Sequence, residues 1–247
     1  MHWLWRAALD LMFPPRCLVC REFGPQVLCD ACARQIRLIE NPKCLQCGLP
    51  FDPEAKAGEI CADCRTEKQP FTTARAYGYY EGVLREAICR LKYDCRRALG
   101  PPLGRALTAC FADQATDGSG LPREIDAICP VPLHPSRLRE RGFNQSEVIG
   151  RHLGQALGLP IEPVLVRTRM TVPQVGLPHR KREDNVKGAF AVSLHADVKA
   201  RRILLVDDVW TTGSTLRECA RVLRRSGAGA VFVLVVARAV ARPIDEA

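Results

Sequence analysis

An α/β fold built on a parallel sheet, preceded by a small metal-bound module, is what this sequence predicts. Three observations carry the expectation. From about residue 126 to residue 240, short apolar runs alternate with helical patterns, the pattern of parallel strands joined by right-handed crossovers. Four C-x-x-C pairs crowd the first 64 residues. Finally, ILLVDDVWTTGSTLRECARVL, Ile203 to Leu223, runs from an aliphatic strand through two acids and a Thr-Thr-Gly turn into a helix.

The elements follow in chain order. MHWLWRAALDLMF reads as a short amphipathic helix stopped by Pro14 and Pro15, a lid on the metal module, with a membrane-surface or partner contact through Trp3 and Trp5 as the alternative. It is too short to span a bilayer and carries Arg6 and Asp10, so no integral membrane segment is expected. The paired cysteines fill the rest of residues 1–70, the first predicted domain; residues 71–247 form the second. That second domain opens with TARAYGYYEG, alternating like a strand or hairpin, then a helical stretch broken near Gly100-Pro101-Pro102. ATDGSGLPRE is a loop by composition. IDAICPVPL reads as a strand, and Asn144 to Gly158 as a helix with Asn144 and Glu147 spaced as a capping box. PVLVRTR and GAFAV are short strands, ILLVDDV a buried one. A helix from Ser214 to Arg225 ends at Gly227, and AVFVLVVAR is the last strand.

Composition narrows the function classes. Of 247 residues, 47% are hydrophobic, enough for a core, but only 6% are aromatic, which argues against base stacking on many exposed rings. The formal charge of +9 falls to about +5 if eight cysteines bind two zinc ions as thiolates. A moderately basic surface suits phosphate-bearing ligands or nucleic acid without separating them.

The cysteine pairs are Cys17/Cys20, Cys29/Cys32, Cys44/Cys47 and Cys61/Cys64. A C-x-x-C knuckle presents two sulfurs to one side of a tetrahedral zinc, and a second knuckle supplies the other two. Two structural Zn²⁺ sites follow, with sequential pairing preferred and interleaved pairing left open by the spacing; a redox dithiol is the competing reading. A segment this poor in apolar residues needs the metal to fold. Thiolate sites together with the five other cysteines, Cys89, Cys95, Cys110, Cys129 and Cys219, imply a reducing, cytoplasmic compartment, and those five fall in apolar patterns as buried spectators.

The Thr211–Thr215 turn supplies hydroxyls and successive backbone N–H groups at a helix N-terminus, a cradle for a phosphate. The lysine of a nucleoside-triphosphate loop is absent, so a monophosphate fits better. Asp207 and Asp208 stand where a parallel sheet binds ligands, at the carboxyl end of a strand, and suit the hydroxyls of a sugar. A plain strand–helix corner is the bland alternative.

ILLVDDVWTTGST resembles the phosphoribosyl-pyrophosphate signature of type I phosphoribosyltransferases. PVPL at Pro130–Leu133, RGFNQS at Arg141–Ser146, the Y-x-G-x-x-R-x-x-I-x-x-L-K run from Tyr80 to Lys92, and RTRMTVPQVGLPHRKREDNVKGAF extend it to the ComF/GntX family, over nearly the whole chain. The resemblance implies a type I phosphoribosyltransferase-like domain behind a double zinc ribbon. It implies that Asp207 and Asp208 hold the ribose hydroxyls while Val209, Thr211, Thr212, Gly213, Ser214 and Thr215 hold the 5′-phosphate. Pyrophosphate, bridged by Mg²⁺, falls to Pro132, Leu133 and the basic loop of Arg137, Arg139 and Arg141. Arg182, in a mobile loop with His179, Lys181, Gln174 and Asn185, closes over the leaving group. His134 is a ligand or a turn residue, and Lys92 the weakest candidate.

Two functions fit. The first is a transferase that binds phosphoribosyl pyrophosphate and Mg²⁺ and passes ribose 5-phosphate to an acceptor the sequence does not name. The second, from the family's link to competence, is a non-catalytic adaptor on a retained scaffold, with single-stranded DNA or competence proteins as partners.

Overall fold

The computed structural model of the chain describes residues 14–56, 58–116, 121–122, 124–170 and 186–240. The N-terminal helix expected over the first 13 residues, Trp3 and Trp5 with it, lies outside them, as do Gln174, His179, Lys181, Arg182 and Asn185.

Four parallel strands form the main sheet in the order β1-β6-β5-β2. They are β1 (Thr73–Tyr79), β2 (Ala127–Pro130), β5 (Arg202–Trp210) and β6 (Ala230–Arg238). The central pair β5 and β6 is buried along nearly its whole length, which is why ILLV and AVFVLVVA read as continuous apolar runs instead of alternating ones. PVLVRTR and GAFAV do not join this sheet. They supply β3 (Leu165–Arg167) and β4 (Phe190–Val192), which pair antiparallel with each other.

Helices cover both faces. One face holds α3 (Gly82–Tyr93), α4 (Gly100–Thr116) and α6 (Gln145–Leu157). Leu84, Ala87, Ile88 and Leu91 make the buried stripe of α3, at the i, i+3, i+4, i+7 spacing of a helix packed on a core. A 3₁₀ turn at Arg97–Leu99 joins α3 to α4, and the Gly-Pro-Pro break sits in the first turn of α4, where proline costs no hydrogen bond. α4 then lies close against α6: a Cβ at Gly104 would come within 2.5 Å of the His152 Cβ. The other face holds α7 (Ser214–Arg225), anchored by Leu216, Cys219, Ala220 and Leu223.

The capping box at α6 is half formed. Asn144 Oδ1 accepts from the Ser146 N–H at 3.0 Å, but Glu147 turns outward to Arg151, 2.5 Å away. The exposed ion pair wins the carboxylate because Arg151 sits one turn further on the same face. Asn144 Nδ2 spends its own donor on the Val131 carbonyl at 2.9 Å, which ties the start of α6 to the end of β2.

Among its described residues the cysteine segment carries the helices α1 (Asp30–Arg34) and α2 (Ala62–Thr66). Its second half docks on the edge strand β1. Ile39 N–H donates to the Tyr77 carbonyl, Tyr79 N–H to Arg37, and Ala74 N–H to Gln46. Arg75, 2% exposed, donates from Nη2 to the Leu45 carbonyl at 2.9 Å. Cys44, Cys47 and Cys61 belong to the same buried cluster as Phe71, Trp210 and the β5–β6 strands. Of the five remaining cysteines, Cys110, Cys129 and Cys219 are buried, but Cys95 is exposed and Cys89 half-buried. Cys95 falls just past α3 in a turn with φ of +53°, where the apolar helical pattern has already ended. Among the described residues no helix is long and apolar enough to cross a membrane.

Candidate functional site

β2 stops at Pro130, opposite Val206, whereas β5 and β6 stay paired up to Trp210 and Arg238. Asp207 and Asp208 therefore lie in the carboxyl-terminal part of β5, as the sequence suggested, on an edge that β2 has just vacated. Neighbouring residues of a strand face opposite ways, and the two carboxylates take different partners. Asp207 Oδ1 accepts from Ser146 Oγ at 2.7 Å. Asp208 Oδ2 lies 2.5 Å from Lys92 Nζ, at the last turn of α3. Both acids are buried, Asp208 at 3% exposure.

The opening between β5 and the segment after β2 is a cleft of about 410 Å³. Asp207, Asp208, Val209, Thr211 and Thr215 line it from the β5–α7 side, Val131, Pro132 and Leu133 from the β2 side. Lys92, Tyr93, Tyr80, Gln145 and Arg167 complete it. Burial pushes the Asp207 carboxyl above its ordinary value, opposed by the Ser146 hydrogen bond and by the charges of Lys92 and Arg167. Burial likewise draws the Lys92 ammonium down to about 8, against the attraction of Asp207, and pulls the Arg167 guanidinium down. A cleft that holds an acid pair and two desolvated cations is matched to a ligand with hydroxyls on one side and anionic oxygens on the other.

The turn after β5 is shaped by one glycine and one tryptophan. Gly213 is the N-cap of α7 at φ +78°, a conformation that favours glycine. Its open side is pressed against Trp210, where a Cβ would fall 2.6 Å from the indole. Thr212 Oγ1 and Ser214 Oγ are hydrogen-bonded at 3.0 Å, and Arg217 Nη2 holds the Thr212 carbonyl at 2.9 Å. Thr211 and Thr215 thus face the cleft, while Ser214 borders a separate cavity with Arg217, Arg221 and Lys187.

The basic stretch after β2 is a helix, α5 (Pro135–Arg141), and not the loop that the resemblance implied. Proline at its first position and His134 as N-cap start it: His134 Nδ1 accepts from the Ser136 N–H at 3.3 Å, so His134 is the turn residue of the two options. Helical geometry spreads the three arginines. Arg137 pairs with Glu140 at 2.9 Å and Arg139 is exposed. Arg141 alone turns back, donating to Gln145 Oε1 at 2.5 Å beneath the Tyr93 ring.

Sequence reasoning missed Ser146 and Arg167 and ranked Lys92 last. Each lies in one of the quoted motif blocks, Ser146 ending RGFNQS and Arg167 opening RTRMTVPQ, but nothing in their spacing says they meet Asp207.

The eight cysteines assemble sequentially. The Sγ atoms of Cys17, Cys20, Cys29 and Cys32 lie within 4.8 Å of one another, as do those of Cys44, Cys47, Cys61 and Cys64. Separations of 3.8 Å (Cys17–Cys32), 3.7 Å (Cys20–Cys29) and 3.6 Å (Cys47–Cys61) match the roughly 3.8 Å that a tetrahedral zinc with 2.3 Å bonds demands. Backbone N–H groups point at the sulfurs, among them Cys61 to Cys44 Sγ at 3.3 Å and Val19 to Cys17 Sγ at 3.4 Å. Such donors stabilise thiolates, so both quartets fit zinc.

Comparison with known proteins agrees with this layout. The double zinc ribbon domain family matches residues 8–65, and the phosphoribosyl transferase domain family matches residues 153–246. Competence protein F of Haemophilus influenzae is 32% identical over 91% of this chain and 97% of its own length. DNA utilization protein YhgH of Escherichia coli is 35% identical over 92% of this chain and 99% of its own. Among solved structures, a purine phosphoribosyltransferase from Pyrococcus horikoshii aligns with 59% of this chain and 94% of its own, at 17% identity and a TM-score of 0.35.

Proposed function

The chain belongs to the family of Competence protein F and YhgH, a double zinc ribbon followed by a phosphoribosyltransferase domain, and on that premise we propose that its cleft binds phosphoribosyl pyrophosphate with Mg²⁺. The observation that carries the reading is the placing of Asp207 and Asp208 beside the Thr211–Thr215 turn, in one cleft at the carboxyl end of β5.

In this reading the ribose hydroxyls donate to Asp207 and Asp208, displacing Lys92 from its present partner towards the incoming anionic oxygens. The 5′-phosphate accepts from the backbone N–H groups and hydroxyls of the turn, with the N-terminus of α7 adding positive potential. Pyrophosphate lies towards Pro132, Leu133 and Arg167, with Arg141 bonded to the cleft residue Gln145. Asp207 and Asp208 are the residues that would hold Mg²⁺, which would supply charge neutralisation to pyrophosphate. As the bond from C1′ to pyrophosphate breaks, positive charge grows on the ribose ring, and the buried carboxylates sit where they stabilise it. The acceptor then bonds to C1′, and pyrophosphate departs with the bonding electrons.

Its role lies in the handling of DNA taken up or used by the cell, as the names of its relatives indicate for them. Calorimetric titration of the full chain with phosphoribosyl pyrophosphate and Mg²⁺ tests the reading. Binding by the wild type and a loss of at least about 100-fold in Asp207→Asn/Asp208→Asn is expected, since hydrogen bonds to charged groups contribute roughly 1.5–3 kcal/mol each. Absence of wild-type binding overturns it. Binding without pyrophosphate release across a panel of bases and amines would favour a ligand-sensing role.

A further inference from the structure

The second zinc ribbon is wired to the Thr211–Thr215 turn. Arg238, the last residue of β6, is 8% exposed. Its guanidinium donates to the Cys47 carbonyl and lies 3.8 Å from Cys47 Sγ. On its other side it covers the Trp210 indole, 4.5 Å from the ring centroid. Trp210 is the residue beside Arg238 in the β5–β6 register. Phe71 meets that ring edge-on at 5.7 Å, and the Ala239 N–H donates to the Trp210 carbonyl at 2.8 Å. The indole's remaining side is the wall against which Gly213 is packed, 2.6 Å from where a Cβ would be.

We infer that Arg238 and Trp210 are positioning residues for the turn: Arg238, held by the Cys47 knuckle, clamps Trp210 against Gly213 and so sets the shape of Thr211–Thr215. The physical reason lies in charge. A zinc ion with four thiolates carries two negative charges, and a buried guanidinium needs a counter-charge or its desolvation is not offset. The loaded knuckle and Arg238 satisfy each other. Without its metal the knuckle no longer fixes the Cys47 carbonyl that holds Arg238, and the clamp on Trp210 weakens. Among the described residues the Cys17–Cys32 quartet shows no such connection: its loop packs Leu18, Val19, Val27 and Leu28 on the cluster of α3 and α4. The inference rests on the phosphate reading of the turn, because that is what gives its shape a consequence.

The test uses the full chain carrying Trp3→Phe and Trp5→Phe, which leaves Trp210 the sole indole of the three. Arg238→Met keeps the length and apolar stem without charge or donors. The expected result is two zinc ions per chain, a red-shifted Trp210 emission, and a Kd for ribose 5-phosphate raised at least tenfold. Arg238→Lys, a cation without the fork, recovers part of the affinity. Chelation that empties the second quartet reproduces both changes in the parent and adds little to Arg238→Met. If Arg238→Met does not fold, Trp210→Phe takes its place, with the same loss of affinity expected at unchanged zinc content.

Parental affinity and emission in Arg238→Met overturn the inference while leaving the phosphate reading standing. So does an emptied second quartet with unaltered ribose 5-phosphate binding. A parent that binds neither ribose 5-phosphate nor phosphoribosyl pyrophosphate overturns both.

Discussion

Lys92 Nζ sits 2.5 Å from Asp208 Oδ2, so a lysine at the end of a helix more than a hundred positions upstream holds one half of the acid pair. With the ammonium drawn down to about 8 by burial, Lys92 loses its proton in mildly alkaline solution. A neutral lysine no longer offsets Asp208, and the cleft turns more repulsive to a polyanion. The Kd for phosphoribosyl pyrophosphate should rise from pH 7 to pH 9, by up to about tenfold per pH unit above the transition, the limit for one linked proton. Lys92→Met should bind more weakly at pH 7 and show a flat profile; titration calorimetry across this range checks both.

Ser146→Ala removes the hydroxyl that donates to Asp207 at 2.7 Å. The Asp207 carboxyl is already raised by burial, so its folded-state value exceeds its unfolded one. Its contribution to stability is present below the unfolded value and lost as pH rises through the folded value. Removing a donor raises the folded value further and deepens the loss at neutral pH, by roughly 1–3 kcal/mol. Thermal melts should place the variant a few degrees below wild type at pH 7, with the gap narrowing in acid as Asp207 protonates.

Gly213→Ala places a methyl against the Trp210 ring, 2.6 Å from the nearest indole atom, at φ +78°. Strain of this kind costs about 1–3 kcal/mol. The variant should melt earlier and lose ribose 5-phosphate affinity together, as denaturation and calorimetry would show. A variant as stable as wild type would mean the turn can relax away from Trp210.

The two zinc sites should not be equivalent. Metal analysis should return two zinc ions per chain. Cys20 is exposed, whereas Cys44 and Cys47 are buried in the cluster that also holds β5 and β6. Cys20→Ser should lose one zinc and leave the main unfolding transition nearly in place. Cys47→Ser should lose the other and lower that transition by many degrees, because a buried structural site contributes folding energy directly.

Local chemistry was readable in the sequence wherever neighbours in the chain are also neighbours in space. The C-x-x-C knuckles, the β5–turn–α7 unit and the buried strands are such cases, since each depends on residues a few positions apart. The partners of the acids were not readable, because Lys92, Ser146 and Arg167 reach Asp207 and Asp208 only through crossovers that no periodicity records. The basic run at Arg137–Arg141 misled for the converse reason: proline and His134 begin a helix there, and a helix fans its side chains where a loop could gather them. The two-stranded β3–β4 pair escaped too, because three-residue strands have no period from which to infer a partner.

β1 pairs in its sheet with β6, and Cys47 and Arg238 meet across 191 positions. The consequence concerns biosynthesis. A chain emerging from the ribosome can load its cysteine quartets almost at once, since each closes within a few dozen residues. The second ribbon and β1 must then wait, metal in place and apolar flank exposed, until β6 has been made. Long-range closure of this kind is slow and open to mispairing in the interval. Truncation ahead of Ala230 would strand the ribbon permanently, because β6 is the latch on a segment made 191 positions before it.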